Sequence, residues 1–227
     1  MRGFFDTSIK SVCNHLQTFH DDNEKYGITV ALLVGGFAES PMLSGAIQEN
    51  CSSWKAMVPD GASLTVLKGA VLYGYDQSVI VYRVARYTYG VKVRSKFIDG
   101  VHPEDYLVFN EEGERFCKHI FRTFLTEGTL VRHNQIVYES KGSRPFDSKS
   151  DHLNIQIYAS TVKDTKFVTN DCCFCLGILT VTGLDTSIPR NQRRVDYTIT
   201  HKGTDLHVYA TDTRSGRKLN AYIDLLD

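Results

Sequence analysis

Three apolar alternations close the chain, and few folds accommodate them. Val195, Tyr197 and Ile199 alternate with Asp196, Thr198 and Thr200. After His201-Lys202-Gly203 the period resumes at Leu206, Val208 and Ala210, and after Arg214-Ser215-Gly216-Arg217 at Leu219, Ala221, Ile223 and Leu225. A period of two places each apolar set on one side of a strand, so the three runs predict an antiparallel meander with one buried face. That face needs a second layer. Upstream strand candidates occupy 82–93, 128–138, 153–159 and 174–182, and many short strands with glycine-bearing turns favour a β-sandwich.

Residues before about 79 follow a different pattern. Phe5, Ile9, Val12, Leu16 and Phe19 recur at intervals of four and three, one face of a helix, which the charged run at 21–25 ends. From Ile28 to Val34 the chain is almost continuously apolar and rich in β-branched residues. Such a run predicts a strand covered on both faces, as in a parallel or mixed sheet. Gly35-Gly36 follows, where the backbone can turn sharply and approach a ligand. Ser40 is placed to cap a helix with Pro41 at its first position, directing Met42, Leu43, Ala46 and Ile47 inward. A third helix, with Asp60 as its cap, presents Leu64, Leu67, Val71 and Leu72. The expected class is α+β, an α/β segment over 1–78 followed by an antiparallel β-sandwich over 79–227. A strand, a glycine pair and a capped helix form a nucleotide approach, but the same elements also make a tight turn with no ligand. Neither G-x-x-x-x-G-K-[ST] nor G-x-G-x-x-G is present.

Charge narrows the partners. The 26 Lys+Arg balance 26 Asp+Glu, which removes the field that a nucleic-acid or anionic-membrane binder advertises. The longest uncharged stretch, 26–38, is shorter than the roughly 20 residues of a membrane span. Asp6 and Lys10 interrupt the N-terminus where a signal peptide would be apolar, so a cytoplasmic protein is expected. Cys13, Cys51, Cys117, Cys172, Cys173 and Cys175 show no framework spacing and are expected to be free, buried thiols. In Cys172-Cys173-Phe174-Cys175 a strand would place Cys173 and Cys175 on one face, with no second C-x-x-C or H-x-x-x-H to complete a metal site. No nucleophile elbow or Ser/His/Asp arrangement supports a self-sufficient enzyme. Tyr82-Arg83-Val84-Ala85-Arg86-Tyr87 is best taken as a strand with an exposed basic face.

Two ordered segments resemble one family. Leu33-Val34-Gly35-Gly36-Phe37-Ala38-Glu39-Ser40-Pro41 and the stretch from Val58-Pro59-Asp60-Gly61 through Lys68-Gly69-Ala70 to Gly74 resemble the last part of an actin-like ATPase domain. Tyr87-Thr88-Tyr89-Gly90-Val91, Gly177-Ile178-Leu179-Thr180-Val181-Thr182-Gly183-Leu184, Ile188-Pro189-Arg190 and the stretch from Gly203-Thr204-Asp205-Leu206 to Ser215-Gly216 resemble the β-sandwich peptide-binding domain that follows it. Both belong to the 70-kDa heat-shock chaperones, with the divergent heat shock 70 kDa protein 12 branch the nearest likeness. The resemblance implies the C-terminal portion of a chaperone whose full-length architecture uses ATP/ADP with Mg. In this chain Gly35, Gly36, Phe37 and Asp60 would form the adenosine end.

The departures limit what can be carried over. The loop's usual Ser and Arg are replaced by Phe37 and Glu39, and the phosphate loops and catalytic residues have no counterpart. No cofactor and no ATP hydrolysis are therefore expected for this chain alone. The leucine linker is replaced by Asp76-Gln77-Ser78-Val79-Ile80-Val81-Tyr82-Arg83, 95–118 resembles an insertion, and the helical lid is missing. The family's groove holds an extended apolar peptide or unfolded client, and Val137, Tyr138, Leu153 and Ile155 are the candidates by position. The same inward positions would equally pack a sandwich core. A nucleotide-independent scaffold is the rival function.

Overall fold

The computed structural model describes residues 3, 5–22, 27–51 and 54–225; most of the predicted charged turn at 21–25 lies outside them. Two compact units divide the chain, Met1–Val79 and Ile80–Asp227.

In the first unit, helix α1 (Asp6–Asp22), strand β1 (Val30–Leu32), helix α2 (Pro41–Asn50), strand β2 (Lys55–Met57) and helix α3 (Ala62–Tyr75) follow one another. β1 and β2 pair in parallel, Val30 opposite Lys55 and Leu32 opposite Met57. Ile9 and Cys13 of α1, Ala31 of β1, Leu43 and Ile47 of α2, and Cys51 and Trp54 form one small core. Pro41 opens α2 as expected, but the Ser40 side chain makes no capping bond there. Gly61, in a left-handed conformation, occupies the cap position of α3 instead of Asp60.

Two burial expectations fail here. The 28–34 run is not covered on both faces, since only Ala31 of β1 is buried and Leu32 is 66% exposed. α3 buries only Ala62, and Leu64, Leu67, Val71 and Leu72 each remain more than half exposed. The physical reason is area: a two-stranded sheet is too narrow to carry helices on both sides. Its apolar pattern is that of a larger layered structure.

The second unit is the antiparallel sandwich. Its strands are β3 (Tyr82–Val84), β4 (Thr88–Lys96), β5 (Leu107–Phe109), β6 (Arg115–Leu125), β7 (Leu130–Arg132), β8 (Gln135–Ser143), β9 (Leu153–Ser160), β10 (Cys173–Val181), β11 (Val195–His201), β12 (Asp205–Asp212) and β13 (Lys218–Asp224). One sheet has the order β10-β9-β4-β6-β5, the other β13-β12-β11-β8, and β3 pairs with β7 apart from both. The predicted meander is β11, β12 and β13, in continuous register from Val195 opposite Asp212 to Asp205 opposite Asp224. Val91, Ile155, Ile157 and Val181 of the first sheet meet Val195, Ile199, Leu206 and Val208 of the second in one core. Gly90 is needed for this packing, because a Cβ there would strike the Phe121 ring and the Arg122 carbonyl.

The 95–118 segment joins this sheet as a hairpin, with β5 against the start of β6 and a turn closed by Glu114 N–H donating to Asn110 Oδ1 at 2.7 Å. All six thiols are free, but they are not all buried: Cys172 and Cys173 are half-buried and Cys175 is exposed. β10 lies at the edge of its sheet and bulges between Cys175 and Gly177, leaving one side of that stretch without a covering strand. No helix among the described residues is long and apolar enough to cross a membrane.

The connection around Val79 and Ile80 has 38–56% exposure at Ile80, Val81 and Tyr82. Limited proteolysis is therefore expected to cut first between about Asp76 and Arg83 and to leave a stable β-rich fragment. Equal resistance throughout that segment, read by mass spectrometry of the fragments, would contradict two independently stable units.

Candidate functional site

The glycine loop of the first unit is held by the protein itself. Gly35 has φ +96°, a conformation that favours glycine, and its N–H donates to the Ala62 carbonyl at 2.8 Å. A Cβ at Gly35 or Gly36 would meet nothing within 4 Å, so no close approach demands either residue from within the chain. The Phe37 ring stacks on Phe5 with centroids 5.7 Å apart. Glu39 accepts the Ser63 backbone N–H at 3.0 Å, and that bond holds its carboxyl below the usual range. Glu39 thus satisfies one of the free donors of the first turn of α3. Asp60 is exposed next to the turn. Gly35, Gly36 and Phe37 share one loop, and the space beside both glycines is open. No chemical step is assigned to them.

The second unit brings its candidates closer together. Leu153 and Ile155 point from β9 toward the core, where Ile155 is 3% exposed and Leu153 half-buried. Tyr138 of β8 is half-buried and lies beside Tyr197 with centroids 5.8 Å apart. These three line a cavity of about 230 Å³. Val137 packs against the same core but lines neither this cavity nor its neighbour. An adjoining cavity of about 440 Å³ shares Lys92, Val93, Arg94, Leu153 and Asn154 with the first and extends beneath Phe146, Asp147 and His152. Together they make a groove roofed by the loop between β8 and β9.

Sequence reasoning did not anticipate the groove's charge. Lys92 and Arg94 alternate with core-packed Val91 and Val93 and so face outward from β4. Lys118 and Arg122 come from β6, which is antiparallel to β4, and Arg144 from the roof loop. The Arg94 guanidinium lies 4.3 Å from the Phe146 ring centroid, a cation–π contact that fixes the loop's aromatic in place. Burial pushes Lys92 down from its ordinary value, with Arg94 adding repulsion, and burial also lowers Arg94. His119 sits at φ +67°, a strained backbone for a non-glycine residue, next to the β4–β6 bulge. Burial, followed by the charges of Lys92, Lys118 and Arg94, keeps its imidazole neutral to lower pH than usual.

The roof loop is anchored from below by one residue. Arg193 is 3% exposed. Its guanidinium donates to the carbonyls of Ser148 and Ser150 on the roof loop, and to those of Thr186 and Ile188 on the loop after β10. Nε adds a bond to Ile188 at 3.0 Å. Arg190 reinforces the anchor by donating to the Phe146 carbonyl at 3.2 Å and to Glu112 at 2.7 Å. A further cavity of about 590 Å³ lies at these two arginines, but their donors are committed to the loops. Among the described residues no group of three or more His, Cys, Asp or Glu is placed to hold a metal.

No family model matches the chain. Over 236 aligned residues and its whole length, it is 30% identical to heat shock 70 kDa protein 12B of Homo sapiens. Against heat shock 70 kDa protein 12A of Homo sapiens and of Mus musculus the identity is 29%, again over the whole chain. The chain is a relative of the heat shock 70 kDa protein 12 family. It spans about a third of those relatives' length, 34% in each case. The similarity agrees with the resemblance in the glycine loop and the sandwich strands.

The Arg193 anchor gives a stability prediction. Arg193→Ala would leave four partly buried carbonyls short of a donor, so a loss of about 2 kcal/mol is expected in denaturant unfolding of the β-rich unit. Arg193→Lys should recover only part of it, because an ammonium cannot span the same fork of acceptors. A change below about 0.5 kcal/mol for the alanine variant would mean that the anchor is dispensable.

Proposed function

We propose that this chain is the C-terminal portion of a heat-shock 70 kDa-like chaperone, acting in the cytoplasm, and that its β-sandwich holds an extended segment of a client protein. The observation that carries this reading is the groove itself: Tyr138, Leu153 and Ile155 come together under an anchored loop, between the sheets' edges and an outward face. Backbone pairing and one apolar pocket suffice to hold an extended chain. The whole-length relationship to heat shock 70 kDa protein 12A and 12B supports a client-binding role.

Binding in this chain would be independent of nucleotide. Glu39 stands where the family usually places an adenine-stacking cation, and here its carboxylate caps α3. The ring of Phe37, the other replacement, is already engaged by Phe5. With neither phosphate loop in the chain, a single open stacking surface is worth on the order of 1–3 kcal/mol, against about 8 kcal/mol for micromolar affinity. These features also favour the second reading, a scaffold whose sandwich binds a folded partner.

Two measurements test these readings. Leu153→Ala is expected to weaken binding of a leucine-containing extended peptide by about tenfold, and Lys149→Ala to leave it unchanged. Both proteins would first be shown to unfold cooperatively. Equal affinity in the two variants would remove the groove and favour the scaffold. Calorimetric titration with Mg-ATP is expected to show no saturable binding below about millimolar concentration and no phosphate release above a buffer blank. Micromolar binding abolished by Gly36→Asp would mean that a complete nucleotide site exists in this chain.

A further inference from the structure

We infer that the groove selects extended client segments carrying carboxylate side chains next to an apolar residue. The inference rests on the peptide-binding reading above and specifies the chemistry of its ligand.

The charge balance of the walls leads to this ligand class. Lys92, Arg94, Lys118, Arg122 and Arg144 all line the two adjoining cavities. None of the five makes an ion pair or a side-chain hydrogen bond with a described residue. Elsewhere on this unit arginines do find carboxylates: Arg115 pairs with Asp99, Arg190 with Glu112 and Arg214 with Asp185. Among the described residues the only acid lining the cavities is Asp147, whose carboxylate already accepts the Lys149 N–H at 2.8 Å. In a chain with equal numbers of acids and bases, five cations in one groove are a local excess.

Such an excess costs stability. Lys92 and Lys118 are half-buried and the three arginines more exposed; cations held this near each other repel, and a cluster left without acids is usually retained only where a counter-charge arrives. The protein does not supply one here, so the counter-charge is assigned to the ligand. The remaining walls set the kind of ligand. Leu153, Val93 and Phe146 offer apolar contact beside the cations, and the Asn154 and Gln156 amides stand on the same outward strand face. That mixture suits a peptide in which acidic and aliphatic side chains alternate. A nucleic acid would need a basic field well beyond the groove, which the chain's zero net charge does not provide.

The test compares fluorescent peptides of one length on the full chain. In the first, leucines are flanked by glutamates; in the second, by glutamines; in the third, by lysines. The glutamate peptide is expected to bind about tenfold more tightly than the glutamine peptide, with that advantage falling away between about 50 mM and about 500 mM NaCl. Lys92→Gln with Arg94→Gln should erase the advantage while the glutamine peptide still binds. Arg94→Lys should keep most of it, and Lys149→Gln, which removes a charge outside the two cavities, should leave it unchanged. Circular dichroism and cooperative unfolding would verify that each variant is folded.

The possible failures are distinguishable. Equal binding of the glutamate and glutamine peptides would overturn acid selection and leave the peptide groove standing. Binding of no peptide at all would overturn both. Tighter binding of a single-stranded oligonucleotide than of the glutamate peptide would overturn the inference in favour of nucleic acid.

Discussion

The β-rich unit depends on a buried guanidinium that has only carbonyls as hydrogen-bond acceptors. Arg193 lies beneath two loops and donates to four backbone oxygens, two on each loop. Carbonyls buried in loops have no ladder partner, and an unpaired one costs as much as a lost hydrogen bond. Arginine suits this role because its planar fork carries five donors in fixed directions. Its hydrogen bonds go to dipoles spread over both loops, so a shift of either loop would strand several acceptors at once. This couples the position of the roof loop to the rest of the sandwich, through to Phe146 and the Arg94 beneath its ring.

The anchor allows the groove to remain open. The two sheets bury their apolar faces against each other, which leaves the outward face of β4, β6 and β9 to polar side chains. The roof loop covers part of that face without filling it. Cations on an open face would ordinarily be well solvated, but Lys92 is half-buried here, and burial disfavours its charged form, with repulsion from Arg94 adding to it. The strained His119 backbone lies at the same place, where β6 bulges to meet the segment at 166–168. Strain, desolvation and uncompensated charge fall within one small region, a combination more common in binding sites than in packing defects.

Legibility in the sequence followed the range of the interactions. The meander β11–β13 could be read residue by residue, because a period of two is a local signal and each turn carries its own glycine or polar cluster. β6 was passed over: it carries four charged or histidine side chains among eleven residues and is interrupted by a bulge, so its alternation is broken. Burial in the first unit was misjudged, since an apolar side chain on α3 does not reveal whether its partner layer is present. The groove was partly visible, as Leu153 and Ile155 were singled out, but its charge was not. Lys92 and Arg122 are thirty residues apart in the sequence and line one cavity only because β4 pairs with β6. The one local hint was Lys92-x-Arg94, two cations on the same side of a strand. Arg193 gave no signal, because its role comes entirely from where two loops meet.

Glu39 shows how a loop can be held in shape by bonds from within the chain. A glycine pair after a strand suggests a nucleotide because the turn must be tight, yet in this chain the turn is accounted for internally. Gly35 donates to Ala62, Glu39 accepts from Ser63, and both bonds end at the start of α3. The first turn of a helix has unsatisfied N–H groups and a partial positive charge, so a carboxylate there is favoured in two ways. An arginine at position 39 could do neither and would be free to reach outward. The acid at position 39 therefore belongs to the helix side of the loop. The geometry of the glycine loop is thus accounted for by contacts with α3, and a tight turn after a strand does not by itself require a ligand.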